Sequence, residues 1–252
     1  MNESAKSIGG TVLAGLLILA VWWFATGPGG VQKTVLPSPV DLLDALKRGF
    51  VDGLLYPHIR FTLSASAMGL VIGGGLGMIV GAAVALIRPL GPFVTPLVIG
   101  LQSVPKVAIA PLFVAYLGFG MGSKVFTSAL LCFFPLFVAS VTGLRAVDPR
   151  FVDLFRGFSA SKLHVLLNVR IPAAAPYLFA AIKIAIALSL IGCVVSEFVA
   201  SSQGLGYVIK ARSSELDVAM MFAALLSLSA IGVIGTGIVR LAQIRLVFWQ
   251  KT

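Results

Sequence analysis

Long apolar runs alternate with short polar stretches along this chain. The runs cover about 8–26, 60–87, 91–117, 123–144, 173–198 and 218–243. Each is close to or beyond the roughly 20 helical residues needed to cross a hydrocarbon core about 30 Å thick. No segment shows the two-residue alternation of a membrane β-barrel. The pattern predicts an all-α integral membrane protein with about six transmembrane helices. The first run carries an interfacial tryptophan pair, Trp22 and Trp23, and is too long for the apolar region of a signal peptide, so it reads as a span. Between the first two runs lies "LPSPVDLLDALKRGF". Pro37 and Pro39 end an extended part there, and Leu42, Leu43, Leu46 and Phe50 form one face of a short helix lying along the membrane interface.

Polar and small residues inside the runs carry the candidate chemistry. Gly69, Gly73, Gly77 and Gly81 form a four-residue ladder in the second run. Such a ladder makes a smooth face for close helix approach, inside one subunit or between two. The third run holds Pro92, Pro96, Pro105 and Pro111. Proline frees backbone carbonyls, which at membrane depth must meet protein or a watery cavity, so this span is predicted to break and to line something. Lys106 follows Pro105, and an intramembrane lysine is costly unless it faces a cavity or a partner. With Gln102 and Ser103 it is a candidate lining of a translocation pathway, where its charge would attract an anionic solute. The competing reading bonds the ammonium to the freed carbonyls or lets it snorkel. Lys183, about two turns into the fifth run, fits snorkelling or helix packing. Glu197, at the outer end of that run, is a second pathway candidate, pairing with a lysine or acting at a gate, against a simply hydrated interfacial carboxylate. Gly204 and Gly206 in "QGLGY" predict a tight turn at the outer mouth.

Composition narrows the function classes. Hydrophobic residues make up 58% of the chain and charged residues 11%, the latter less than half of the usual share of about 25%. The net charge of +10 does not indicate nucleic-acid binding, because the basic residues are scattered between apolar runs. They report topology instead. With the N-terminus in the cytoplasm, Lys6, Arg88, Arg145, Arg150, Arg156, Lys162, Arg170, Arg240, Arg245 and Lys251 lie inside, mostly close to span ends. Lys33, Lys47, Arg48, Arg60, Lys124, Lys210 and Arg212 lie outside, diluted by Asp41, Asp44, Asp52, Glu215 and Asp217. Both termini and residues 148–172 are then cytoplasmic. Cys132 and Cys193 fall in separate runs and His58 and His164 are isolated, so neither a disulfide nor a metal site is indicated. "GFGMGSKV" fails as a phosphate-binding loop: Ser123 separates Gly122 from Lys124, Val125 replaces the hydroxyl residue, and no strand precedes it. No catalytic residues and no cofactor of the chain's own are expected, and energy for active transport would come from elsewhere.

One polar segment stands apart, "DPRFVDLFRGFSASKLHVLLNVRIP" at 148–172. Asp148 suits an N-cap and Pro149 the first helical position. Phe151, Phe155 and Phe158 are expected on one face. Gly157 to Ser161 is a weak point, with Ser159 or Ser161 able to cap a second helix, and Pro172 fits a turn into the next span. The segment reads either as a hairpin on the membrane surface or as a peg for a groove in a partner protein.

The same segment resembles the cytoplasmic EAA loop of binding-protein-dependent ABC transporter permeases, roughly E-A-A-x-x-x-G-A-S followed by a hydrophobic–proline pair. "DLFRGFSAS" and "VRIP" match at the right distance. Asp153 stands at the acidic position, Ala160 and Ser161 at the A-S positions, and Ile171 with Pro172 at the end. Phe155 replaces the second alanine, and Ser159 stands where the family has the glycine that permits a tight bend. "LPSPVDLLDAL", "VPKVAIAPLFVAYLGFG" with "SKV", "GLRAVDP" and "VVSEFVASSQGLGYVI" are similar, in order, to the nitrate, sulfonate, taurine and bicarbonate importer permeases. The resemblance implies a type I ABC importer permease-like core with cytoplasmic coupling helices. Residues 1–59 would be a transmembrane helix with a periplasmic amphipathic segment, and 60–252 the core, with the loop at about 145–172. Asp153, Phe155, Arg156, Gly157, Phe158, Ser159, Ala160, Ser161 and Pro172 would couple to the ATPase. Two permease copies, two cytoplasmic ATPase subunits holding ATP and Mg2+, and an extracytoplasmic binding protein would assemble at a bacterial inner membrane to import a small, anionic solute. A stand-alone secondary transporter is the alternative, but no internal repeat is visible and Glu197 is the only acid near a span. An integral-membrane enzyme would need a converging cluster of reactive groups, which the sequence lacks.

Overall fold

A backbone inside a bilayer has no water to bond, so it must satisfy its own polar groups. In the computed structural model, which describes residues 2–27 and 30–249, the ordered elements are accordingly all helical. They are α1 (Asn2–Ala25), α2 (Pro39–Phe50), α3 (Tyr56–Leu86), α4 (Gly91–Gln102), α5 (Ala110–Leu117), α6 (Met121–Arg145), α7 (Pro149–Gly157), α8 (Lys162–Val165), α9 (Ile171–Val199), α10 (Leu205–Ser214) and α11 (Val218–Leu246). Among the described residues four stretches are long and apolar enough to cross a membrane: α3, α6, Lys162–Val199 and α11. The third run is broken as its prolines predict, with α4 and the Lys106–Leu117 stretch meeting at 78°. Counting that pair as one span gives five, against about six expected. The sixth expected span is α1, of which Leu13–Ala25 is the apolar part among the residues whose side chains are described.

The glycine ladder is spent inside the chain. Gly69 faces Ser128, Gly73 the backbone of Ala129, Gly77 the carbonyl of Phe133 and Gly81 that of Phe137, all on α6. A Cβ on Gly81 would sit 2.6 Å from the Phe137 oxygen. On its other side α6 meets α9, where a Cβ on Gly192 would lie 2.9 Å from the Ser128 Cα. Small polar side chains bridge the gaps. Ser128 Oγ donates to the Ser189 carbonyl at 3.0 Å, Ser140 Oγ to the Met78 carbonyl at 2.9 Å, and Cys132 Sγ to the Ala185 carbonyl at 3.2 Å. Where α3 and α6 end together, Arg145 Nη2 donates to the Val84 carbonyl at 2.8 Å, capping an orphan acceptor in the last turn of α3.

A second apolar cluster joins α2, α10 and α11 through Leu42, Ala45, Leu55, Leu205, Val208, Ile209, Met220, Ala223 and Ala224. Here α2 differs from the expected face. It buries Leu42, Ala45 and Gly49, while Leu43 and Phe50 are exposed. Leu42 fills the contact and Gly49 makes room for the Leu55 side chain, while Leu43 and Phe50 fall outside it. A capping box starts α2: Asp41 N donates to Ser38 Oγ at 3.2 Å and Ser38 N to Asp41 Oδ2 at 3.3 Å. The Ser38 hydroxyl bond, then Lys33 at 3.1 Å, hold the Asp41 carboxyl below the usual carboxylate range. Trp22 Nε1 donates to the Pro37 carbonyl at 2.9 Å and ties α1 to this region. Lys183 packs helices as one expectation had it, donating to Gln243 Oε1 of α11 at 2.6 Å.

The ladder yields a test of opposite signs. Gly73→Ala drives a methyl into the Ala129 backbone, so it is expected to cost about 1–3 kcal/mol and lower the unfolding temperature in detergent. Gly75 faces open space, so Gly75→Ala should gain about 0.5–1 kcal/mol from helix propensity. Equal responses of the two variants would show that α3 and α6 are not in this contact.

Candidate functional sites

The bend in the third run brings Gln102, Ser103 and Lys106 together. Gln102 ends α4, so its carbonyl has no partner within that helix. Lys106 Nζ donates to it at 2.9 Å and lies 4.4 Å from the centre of the Phe134 ring. Lys106 is half-buried, Gln102 half-buried and Ser103 exposed. The lysine therefore bonds a carbonyl freed at the break, as one reading had it, and its cation–π contact fixes the direction of the side chain. Val104, Pro105, Val107 and Ala108 around it are exposed.

Glu197 does not join this group. It is 1% exposed, so the hydrated interfacial reading does not hold. Its Oε1 accepts from Thr62 Oγ1 at 2.8 Å and from Cys193 Sγ at 3.4 Å, and its Oε2 accepts from Gly206 N at 2.7 Å. Thr62 Oγ1 in turn accepts from Leu205 N at 2.8 Å, and His58 Nδ1 from Gly204 N at 3.1 Å. The "QGLGY" turn is thus sewn to the start of α3. Its glycines have separate reasons. Gly204 has φ +106°, and a side chain on it would run into the Glu197 carboxylate; a Cβ on Gly206 would lie 2.9 Å from the Glu197 Cβ. A buried carboxylate also needs a countercharge. Lys124, fully buried at the start of α6, brings a cation to the same turn. Lys124 Nζ donates to the Ala200 carbonyl at 2.6 Å, to the Phe119 carbonyl at 2.7 Å and to Ser123 Oγ at 3.3 Å. Sequence reasoning missed Lys124 and Thr62 as partners. The available signal was a lysine only three residues into an apolar helix, in the "SKV" motif.

Segment 148–172 forms two capped helices. Arg150 N donates to Asp148 Oδ1 at 2.9 Å. At the end of α7, Ala160 N donates to the Phe155 carbonyl at 3.0 Å and Ser159 has φ +60°. This is a Schellman ending with its left-handed residue at Ser159. The bend therefore falls where the resembling family has glycine, not at Gly157, and a serine there costs about 1 kcal/mol. Ser161 caps the next helix, accepting from His164 N at 3.2 Å.

The exposed face also differs from expectation. Phe151, Leu154 and Phe158 are 58%, 55% and 79% exposed. Phe155 is half-buried and turns toward the His164 ring, 6.3 Å between centres. At about 100° per residue Phe155 stands at the rim of this face, on the side away from Leu154, where the His164 ring of α8 meets it. Asp153 lines a small cavity with Arg145 and Arg170. Gly157 is exposed and Ala160 half-buried. Arg156 has its backbone in α7, but its side chain lies outside the described residues. Pro172 makes no turn. The helix runs on from Lys162 to Val199, 38 residues, with a wider five-residue turn at Leu166–Arg170. That turn accommodates the missing N–H and the ring of Pro172, while Asn168 Nδ2 donates back to the His164 carbonyl at 3.1 Å. Among the described residues no group of three or more His, Cys, Asp or Glu side chains is placed to hold a metal.

Apolar spans around a broken helix, with a capped polar hairpin between two of them, describe a multi-pass membrane protein. The chain belongs to the family of binding-protein-dependent transport system inner membrane components, whose model matches residues 73–247. It is 29% identical over 236 residues to a Bacillus subtilis protein named as an aliphatic sulfonates transport permease, SsuC, covering 94% of this chain and 86% of that one. It is 31% identical over 237 residues to the riboflavin transport system permease protein RibX of Chloroflexus aurantiacus, covering 94% and 88%. The fold is shared with a chain of the MetNI methionine ABC transporter, with TM-score 0.62 and 18% identity over 75% of this chain and 96% of that one. The protein is thus an ABC transporter permease with a type I importer fold.

Breaking the buried cluster should be expensive. Glu197→Ala leaves Thr62 Oγ1 and Gly206 N buried without their acceptor, and a loss of about 1–3 kcal/mol for each is expected. Glu197→Gln keeps an oxygen for Thr62 and Gly206 and should lose less. Thermal unfolding of the purified chain reads both, and an unchanged midpoint for Glu197→Ala would show that the cluster does not hold the fold.

Proposed function

We propose that this chain is the membrane half of an ATP-driven importer. Two copies pair, residues 148–172 seat in cytoplasmic ATPase subunits that hold ATP and Mg2+, and an extracytoplasmic binding protein delivers a small, anionic solute. The observation that carries this reading is the exposed triad Phe151, Leu154 and Phe158 on a hairpin fixed by caps at both helices. An apolar face of that kind on a helix outside the spans has no use for water and fits a groove in a partner. Family membership supports the choice of partner. Both termini lie in the cytoplasm in this reading, from the basic residues at the span ends. Residues 1–59 supply the first helix and the outer amphipathic segment, and 60–252 the core. The solute's sign is read from Lys106, the cation at the bend, and the sulfonate relative agrees with it.

Phe151→Ala with Phe158→Ala, tested in vesicles holding the complete transporter, should cut binding-protein-stimulated ATP hydrolysis at least about tenfold, since each lost aromatic anchor is worth about 2 kcal/mol or more at an interface. Membrane insertion should be unaffected, because both rings are exposed. Full stimulation would remove the basis for seating this face in the ATPase.

Lys106→Ala should lower transport while basal hydrolysis and assembly survive, and Lys106→Arg should restore part of it if charge is what matters. Wild-type transport by Lys106→Ala would exclude an essential solute role. Failure of that variant to assemble would leave Lys106 as the cap of α4 alone.

A further inference from the structure

A cavity of about 550 Å³ opens between the end of α3, the inner flank of α7, and α8 with the wide turn that follows it. Its walls are apolar, with Leu86, Val152, Leu163 and Leu166, and it carries two cations, Lys162 and Arg170, with no acid in its lining. The nearest acid along the wall, Asp153, belongs to the adjoining cavity that Arg170 also borders. Leu86 is the last residue of α3, and Arg145, the last of α6, bonds the same turn through Val84. Two spans therefore end at this level, which puts the mouth of the cavity at the depth of lipid headgroups. Leu163 is largely exposed beside it.

We propose that this cavity binds an anionic phospholipid of the cytoplasmic leaflet. The phosphate meets Lys162 and Arg170, and the glycerol with the first acyl carbons lies along Leu86 and Leu163. Basic pockets between membrane helices on the cytoplasmic side recognise anionic headgroups in this manner. A zwitterionic lipid brings its own ammonium against the same two cations and gains less. The charge and the apolar floor together select a lipid over a free anion, which has no use for the leucines. They also select it over the ATPase: Val152 sits about 120° around α7 from Phe158, away from the exposed face of Phe151, Leu154 and Phe158. A lipid held there ties the hairpin to the span ends. The inference rests on the cytoplasmic placement of this face, and not on coupling to an ATPase.

Native mass spectrometry of the purified full chain tests it, with phosphatidylglycerol, phosphatidylcholine or inorganic phosphate added. Phosphatidylglycerol should be retained at least about tenfold better than phosphatidylcholine. Lys162→Gln with Arg170→Gln should abolish that preference. Leu163→Glu, which keeps both cations and alters only an exposed position, should also weaken retention. Equal retention of the two lipids, retention unchanged in both variants, or displacement by millimolar phosphate would overturn the proposal. So would loss of the bound lipid on adding the ATPase subunit, which would make the cavity a partner's seat. Because the binding measurement needs no ATPase, loss of lipid preference with intact coupling fails this inference alone, and intact preference without coupling fails the importer reading alone.

Discussion

The structure depends on how closely α3 can approach α6. Backbone meets backbone at Gly73 and Gly77, so a methyl at either position has nowhere to go. In lipid there is no hydrophobic force to push helices together, and close packing with polar bridges must supply the attraction. The ladder sets the α3–α6 separation, and Gly192 with Ser128 sets the approach of α9. With three helices fixed in this way, both ends of the bundle can be fastened by charge. Lys124 and Glu197 close one end and Arg145 the other.

These fastenings explain why a chain with so few charges buries two of them. Lys124 and Glu197 hold the turn at 200–206 against α3 and α6, so α10 is presented in a fixed place beside α2 and α11. The bend at Lys106 is of another kind. One carbonyl and one ring hold it, and exposed residues surround it.

Much of this was legible in the sequence. Apolar runs located the spans because composition alone decides what crosses a bilayer, and the four prolines announced the break. The ladder announced close packing, but its partner could be named only in three dimensions, since Ser128 and Ala129 lie more than fifty residues away. The partners of Glu197 were hidden for the same reason: Thr62 is 135 residues distant, and Lys124 reaches Ala200 across 76. The face of α2 was misread because Ala45 and Gly49 count as weakly apolar and yet are what buries. Pro172 reads as a stop, and the wide turn that lets the helix pass it has no signature in residue types. Ser159 drew notice only as a departure from the pattern of similar permeases, and the left-handed backbone there shows why glycine suits that place.

The central claim is that this chain moves solute only when a separate ATPase drives it through the hairpin at 148–172. Uptake of a labelled aliphatic sulfonate into sealed vesicles tests this most directly, comparing the permease alone with the permease plus its ATPase, binding protein and ATP. The account predicts uptake in the complete system and none from the permease alone under any proton or sodium gradient. Gradient-driven uptake by the permease alone would contradict it.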